Sequence, residues 1–318
     1  MEDNQAPAPL GSVISQLTSG QDIEDRDYGA LSDLTDAEAV EVRNAWPQIS
    51  PELREAVLSH AADLAEERVG LEFSSLARIG LDDSEANARL SALEAVGDST
   101  DRGIGARLCE MLDNDPDERV RAGVAAALRQ FVMAHEFDQF HAGQGEAIVA
   151  ALRRRLEDAE EDVLVRALSL EALGPRSAGW LPTKIELAYA SDVRDMRLAA
   201  LRAMADSCDE RWLEYVYEQA ESDDQEFRYE AAVAAGAIGS ADAVEPISHL
   251  LADDDPSVVA AAIEALGEIG GSAALEELRA FAPHVPEGLE ATLNEATAMA
   301  REIAALEDGG DEDDEDDD

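Results

Sequence analysis

Apolar and polar positions along this chain follow a helical rhythm that returns at a fixed interval. From Asp223 to Gly270 the run DDQEFRYEAAVAAGAIGSADAVEPISHLLADDDPSVVAAAIEALGEIG contains one unit twice: a short helix, a tight acidic turn and a second, Ala-rich helix. A unit of 31 residues cannot close a core alone, so neighbouring units must stack. The register is carried by an Arg in each second helix, at Arg89, Arg121, Arg166, Arg197 and Arg228, with Val259 in the equivalent place of the next unit. The spacings are 32, 45, 31, 31 and 31. Small or apolar residues follow each anchor at offsets of three, four, six and seven, which is one face of a helix.

The same rhythm predicts where helices start and stop. Gly97, Gly174, Gly236 and Gly267 stand eight residues after their anchors, and left-handed helix endings are predicted there. Asp115-Pro116 and Asp255-Pro256 predict an Asp cap followed by Pro at the first helical position. Thr35 with Glu38 forms a capping-box pattern ahead of a helix stopped by Pro47, and Ser50-Pro51 opens another. The expected organisation is a flexible leader over 1–30, a helical cap over 31–65, repeats over 66–306 and a disordered acidic tail over 307–318. Within the cap, Trp46 is read as an anchor to the core and His60 as a packed histidine. The spacing of 45 places an insertion near 130–144, in QFVMAHEFDQFHAGQ. There Phe131 is read as packing, while Phe137 and Phe140 are candidates for docking.

The runs DPDERVRAGVAAAL, DQEFRYEAAVAAGAIG and DPSVVAAAIEALGEIG resemble the second helix of HEAT repeats, in particular the short HEAT-like class first described in phycobilisome lyases. The resemblance spans roughly residues 64 to 305. It implies an all-α, right-handed α-solenoid of helical hairpins. It also implies that Arg89, Arg121, Arg166, Arg197 and Arg228 join a ladder of polar contacts between repeats, which Val259 interrupts.

Composition narrows the functional classes. The chain has 72 Asp and Glu against 24 Lys and Arg, a formal charge of −48, and an apolar content of 46% that suffices for a folded core. Lys184 is the single Lys, so positive charge is almost entirely Arg. This balance resembles a cytoplasmic protein of a salt-accumulating halophile, such as the haloarchaeal HEAT-repeat proteins. Phosphate binding needs a Lys/Arg stripe, and none is present, so nucleic acid is not an expected partner. The N-terminus begins acidic and no membrane span is readable. Cys109 and Cys208 are read as core thiols.

Chemistry is sparse. His135, Glu136, Asp138 and His141 are a weak metal candidate, because two His six apart do not share a helix face. A deoxyhypusine hydroxylase relative would carry repeated His-Glu pairs, and this chain has one, His135-Glu136. A bilin lyase relative would need residues for tetrapyrrole and thioether chemistry that the sequence does not specify. No phosphate loop, nucleophile elbow or HExxH helix occurs. The expectation is therefore a non-catalytic, monomeric scaffold or adaptor without cofactor or metal, binding a protein partner through its concave second-helix wall; the alternative is an enzyme or enzyme subunit of the lyase or hydroxylase type. Offsets one, two and five from each anchor are assigned to that wall. Tyr229 is the candidate aromatic anchor, Arg202 a carboxylate contact, and Glu230, Glu171 and Leu168 further lining.

Overall fold

The structure is a computed structural model that describes residues 7–310, the last four by backbone alone. Every regular element among the described residues is a helix, and each of two compact units is a stack of helix pairs.

The first unit, residues 1–172, holds α1 (Leu10–Thr18), α2 (Asp36–Ala45), α3 (Pro51–Glu67), α4 (Ser74–Gly80), α5 (Ala86–Val96), α6 (Arg102–Asn114), α7 (Glu118–Ala127), α8 (Arg129–Glu136) and α9 (Ala142–Glu157). The helix α10 (Val163–Leu173) reaches its boundary. Thr35 and Glu38 close the capping box at α2, and the Ser50 hydroxyl accepts from the Leu53 N–H at α3. The second helices α3, α5 and α7 lie side by side. The stretch read as a leader contains α1, whose Val13 and Leu17 are buried. Its apolar residues at 10, 13, 14 and 17 form a stripe that residues of α2 cover.

The second unit, residues 173–318, holds four pairs: α11 (Leu181–Tyr189) with α12 (Arg194–Ser207), α13 (Leu213–Ala220) with α14 (Gln225–Ile238), α15 (Val244–Ser248) with α16 (Pro256–Ile269), and α17 (Gly271–Phe281) with α18 (Glu290–Gly310). The second helices α12, α14, α16 and α18 stack in sequence order. Of the acidic tail, residues 307–310 continue α18; residues 311–318, where the tail expectation mostly falls, lie outside the described residues.

Two turn expectations need correction. Asp255 caps α16 with Pro256 in the first turn, as the sequence predicts. At Asp115-Pro116, however, the cap is Asp117, and Asp115 is held instead by a guanidinium. Likewise, Gly97 does end α5 at a φ of 51°. Gly236 and Gly267 lie inside α14 and α16, which run on to Gly239 and Gly270 with φ of 71° and 68°. Their purpose is close approach. A Cβ on Gly236 would stand 2.9 Å from Ala265 Cα, and one on Gly267 would stand 2.7 Å from Ala296 Cα. Gly174 meets Ala203 Cα in the same way at 3.0 Å. Ala203, Ala234, Ala265 and Ala296 recur every 31 residues, so one small-residue contact is repeated down the stack.

A candidate docking face on the second helices

The anchor arginines behave as a structural ladder, with gaps. Arg89, Arg121 and Arg228 each donate from Nη1 to the carbonyl six residues back, at Asp83, Asp115 and Ser222 (2.9, 2.8 and 2.9 Å). Their remaining N–H groups grip a carboxylate in the turn of the next pair. Arg89 holds Asp115 through two bonds of 2.8 Å, Arg121 holds Glu161 at 2.7 Å, and Arg228 holds Asp253 at 2.6 and 2.9 Å. Each carboxylate also accepts a nearby backbone N–H, so its lone pairs are used twice. The Arg228 bond holds the Asp253 carboxyl below its ordinary range against the opposing effect of burial. Arg166 reaches only the Leu156 carbonyl at 3.4 Å among its hydrogen bonds. Arg197 lies over the Phe227 ring at 4.5 Å and donates to Gln219 at 3.4 Å. Sequence reasoning missed the first rung. Arg54 donates to Asp83 at 2.6 Å, and Trp46 Nε1 donates to the same oxygen at 2.6 Å. Val57, Leu58 and Ala61 follow Arg54 at offsets three, four and seven, so the anchor signal was present.

The proposed wall separates by offset. Positions two after the anchor are buried or half-buried throughout, because neighbouring second helices close over them. Position one is covered as well except at Tyr229, which is 38% exposed. Position five faces outward at Glu94, Ala126, Val233 and Glu264. Glu230 is thus not a free contact for a partner: it is 8% exposed and accepts from Arg202 Nε at 2.8 Å. Arg202 also meets Glu226 at 3.4 Å, so its charge is already answered within the fold. Leu168 and Glu171 are half-buried on α10.

Elsewhere the candidate chemistry resolves into packing. Phe131 is fully buried, and half-buried Phe140 stacks edge-on against it with centroids 5.5 Å apart. Phe137 is 65% exposed at the end of α8. His135 is buried, contacts Glu146 at 3.1 Å and packs against Gly145, where an added Cβ would clash with the ring. Trp46 is buried, whereas His60 is half-exposed, edge-on to Tyr28 and 2.9 Å from Asp25. Both cysteines are free. Cys208 sits exposed at the end of α12 and so is not a core thiol, while burial pushes the half-buried Cys109 thiol up to about 11. Among the described residues, no group of three or more His, Cys, Asp or Glu is placed to hold a metal ion, and no helix is long and apolar enough to cross a membrane.

A family model described as HEAT repeats matches residues 181–254 and 213–298. Within the second unit, residues 181–298 are thus similar to HEAT repeats. No curated protein matches the chain. Among solved structures, an Escherichia coli protein, YibA, is 15% identical with a TM-score of 0.45, covering 94% of this chain and 99% of its own. Kap95p, solved with RanGDP, is 15% identical with a TM-score of 0.47, over 92% of this chain and 44% of its own. Human deoxyhypusine hydroxylase, solved with glycerol, is 17% identical with a TM-score of 0.35, over 93% and 96%. In the second unit α14 exposes Tyr229 and Val233, α18 exposes Met299, and Glu264, Glu268 and Glu295 on α16 and α18 are in no ion pair among the described residues.

Proposed function

We propose that this protein is a non-catalytic scaffold or adaptor that binds a protein partner through the second helices of its second unit. The observation that carries this reading is the exposed pair Tyr229 and Val233, one turn apart on α14. Large apolar side chains at outward positions of a helix held on both sides by its neighbours form a preorganised, partly dry surface. Interaction scaffolds are a common use of this repeat, and Kap95p is one relative in fold that was solved with a protein bound. The partner surface is the part of the wall around Tyr229 and Val233, with Phe137 as a separate exposed candidate in the first unit.

Affinity capture of the tagged chain from its own cells, compared with Tyr229→Ser/Val233→Ser, tests the assignment. A recurrent protein retained by the parent and lost by the variant, with unchanged circular dichroism, is the expected result. Equal capture by both chains would remove the face from consideration, and stoichiometric metal or chromophore in the purified protein would turn the reading towards catalysis.

A further inference from the structure

The chemistry of that face specifies the partner further, on the premise that the scaffold reading is right. The 31-residue register lays out α12, α14, α16 and α18 as parallel columns. The row five after each anchor reads Arg202, Val233, Glu264, Glu295, and the row nine after reads Asp206, Ala237, Glu268, Met299. The two halves of this lattice differ in charge balance. Across α12 and α14 carboxylates meet cations: Arg194 meets Asp224 at 2.8 Å and Glu226 at 2.7 Å, and Arg202 meets Glu230 at 2.8 Å. On α16 and α18, Glu264, Glu268 and Glu295 line an open cavity of about 140 Å³ with Thr292, Ala296 and Met299. None of these three carboxylates is in an ion pair among the described residues. Burial, and then the charge of Glu264, push the Glu268 carboxyl up from its ordinary value. On the adjacent α14, Tyr229 and Val233 are exposed, and Met299, which lines the same cavity, is 46% exposed.

An apolar strip about 12 Å long, from Tyr229 to Ala237, therefore adjoins exposed carboxylates that are in no ion pair among the described residues. We propose that this face takes an amphipathic helix of a partner protein, its apolar edge on Tyr229 and Val233 and its Lys or Arg side chains on Glu264, Glu268 and Glu295. Met299 is placed to pack the aliphatic stems of those cations. Charge complementarity selects this occupant: a neutral helix would leave the three carboxylates desolvated and unpaired, and an acidic one would add repulsion.

The test uses the full chain and two labelled probe peptides of about 18 residues, one of Leu and Lys and one of Leu and Gln with the same apolar face. Fluorescence anisotropy at about 0.5 M salt suppresses attraction to the general negative charge. The expected result is that Glu264→Gln/Glu268→Gln weakens the Leu/Lys peptide by about tenfold, whereas Glu276→Gln/Glu277→Gln, the same charge change on exposed positions of α17, changes it by less than about twofold. Equal weakening by both pairs would overturn the proposal by showing attraction to charge at large. A Leu/Gln peptide that binds as tightly as Leu/Lys and is lost only in Tyr229→Ser/Val233→Ser would overturn the cationic requirement and leave the scaffold reading intact. Indifference of both peptides to Tyr229→Ser/Val233→Ser would overturn the face itself.

Discussion

The two units join successive helix pairs by different chemistry. In the first, each junction carries a desolvated ion pair: Arg54 with Asp83, Arg89 with Asp115, Arg121 with Glu161, at 2.6 to 2.8 Å. In the second, among the described residues, Arg228 and Asp253 make such a rung and Arg194 and Arg202 pair with Asp224, Glu226 and Glu230 across α12 and α14, while α14, α16 and α18 also pack Gly against Ala backbone. An ionic rung repays its desolvation only while both partners and their secondary hydrogen bonds are present. A small-residue junction has no such dependence, but it tolerates no added atom. Where the junction is Gly267 against Ala296, between α16 and α18, the outward carboxylates Glu264, Glu268 and Glu295 are in no ion pair among the described residues.

The comparison is broken most directly at the Arg89 rung. Asp115→Ala leaves a guanidinium that is 7% exposed without its carboxylate, and a loss of about 3 to 5 kcal/mol is expected in denaturant unfolding. Replacing both partners, as Arg89→Met with Asp115→Leu, should recover most of that loss. A single-variant loss below about 1 kcal/mol would show that the rung is not holding the junction. The counterpart in the second unit is Gly267→Ala, which forces α16 and α18 apart at Ala296 and should cost about 1 to 3 kcal/mol. Gly143→Ala, exposed in the first turn of α9 with open space around it, should be neutral or stabilise by less than about 1 kcal/mol. Hydrogen exchange should confine each effect to the unit that carries the substitution.

Much of this was legible in the chain. The 31-residue register, the capping box at Thr35, the Asp255-Pro256 start and the ladder Arg residues are local patterns, and local patterns survive folding. What sequence periodicity does not contain is how far a neighbouring helix overlaps a face. Offsets one, two and five point the same way on an isolated helix. Stacking closes over two of them, which buries Glu230 and leaves Val233 outside. Gly236 and Gly267 looked like helix ends for the same reason, since a close approach and a left-handed turn demand the same residue. The carboxylates that complete the rungs stand 25 to 40 residues from their Arg, in turns where several acids crowd together, so the sequence alone did not single out Asp115, Glu161 or Asp253.

A smaller effect sharpens the contrast through pH. The hydrogen bond from Arg228 keeps the folded Asp253 carboxyl below its ordinary value, so the rung contributes stability above the unfolded carboxylate range. That contribution is lost as pH falls from about 4 through the folded value. Asp253→Asn should therefore lower stability by about 1 kcal/mol at neutral pH and by progressively less in acid. Melting curves between neutral and strongly acidic pH measure the convergence, and a constant offset would show that Asp253 is not coupled to Arg228.

The smallest expected effect has the opposite sign and bears on the docking face. Burial and the neighbouring Glu264 charge raise the folded Glu268 carboxyl, so its ionisation works against the fold, and stability attached to it is full below the unfolded range and falls as pH rises through the folded value. Glu268→Gln should accordingly stabilise the free chain near neutrality by no more than about 0.5 kcal/mol, given solvent screening, with the gain vanishing below about pH 4. A bound cationic helix should reverse that order: the parent chain then gains more from the ligand than the variant does, and its melting temperature rises further when the Leu/Lys peptide is added. A residue that costs the free fold a little and stabilises the complex is what a binding role predicts. If Glu268→Gln leaves both the free chain and its response to the peptide unchanged, Glu268 is an ordinary solvated carboxylate and the face is apolar only.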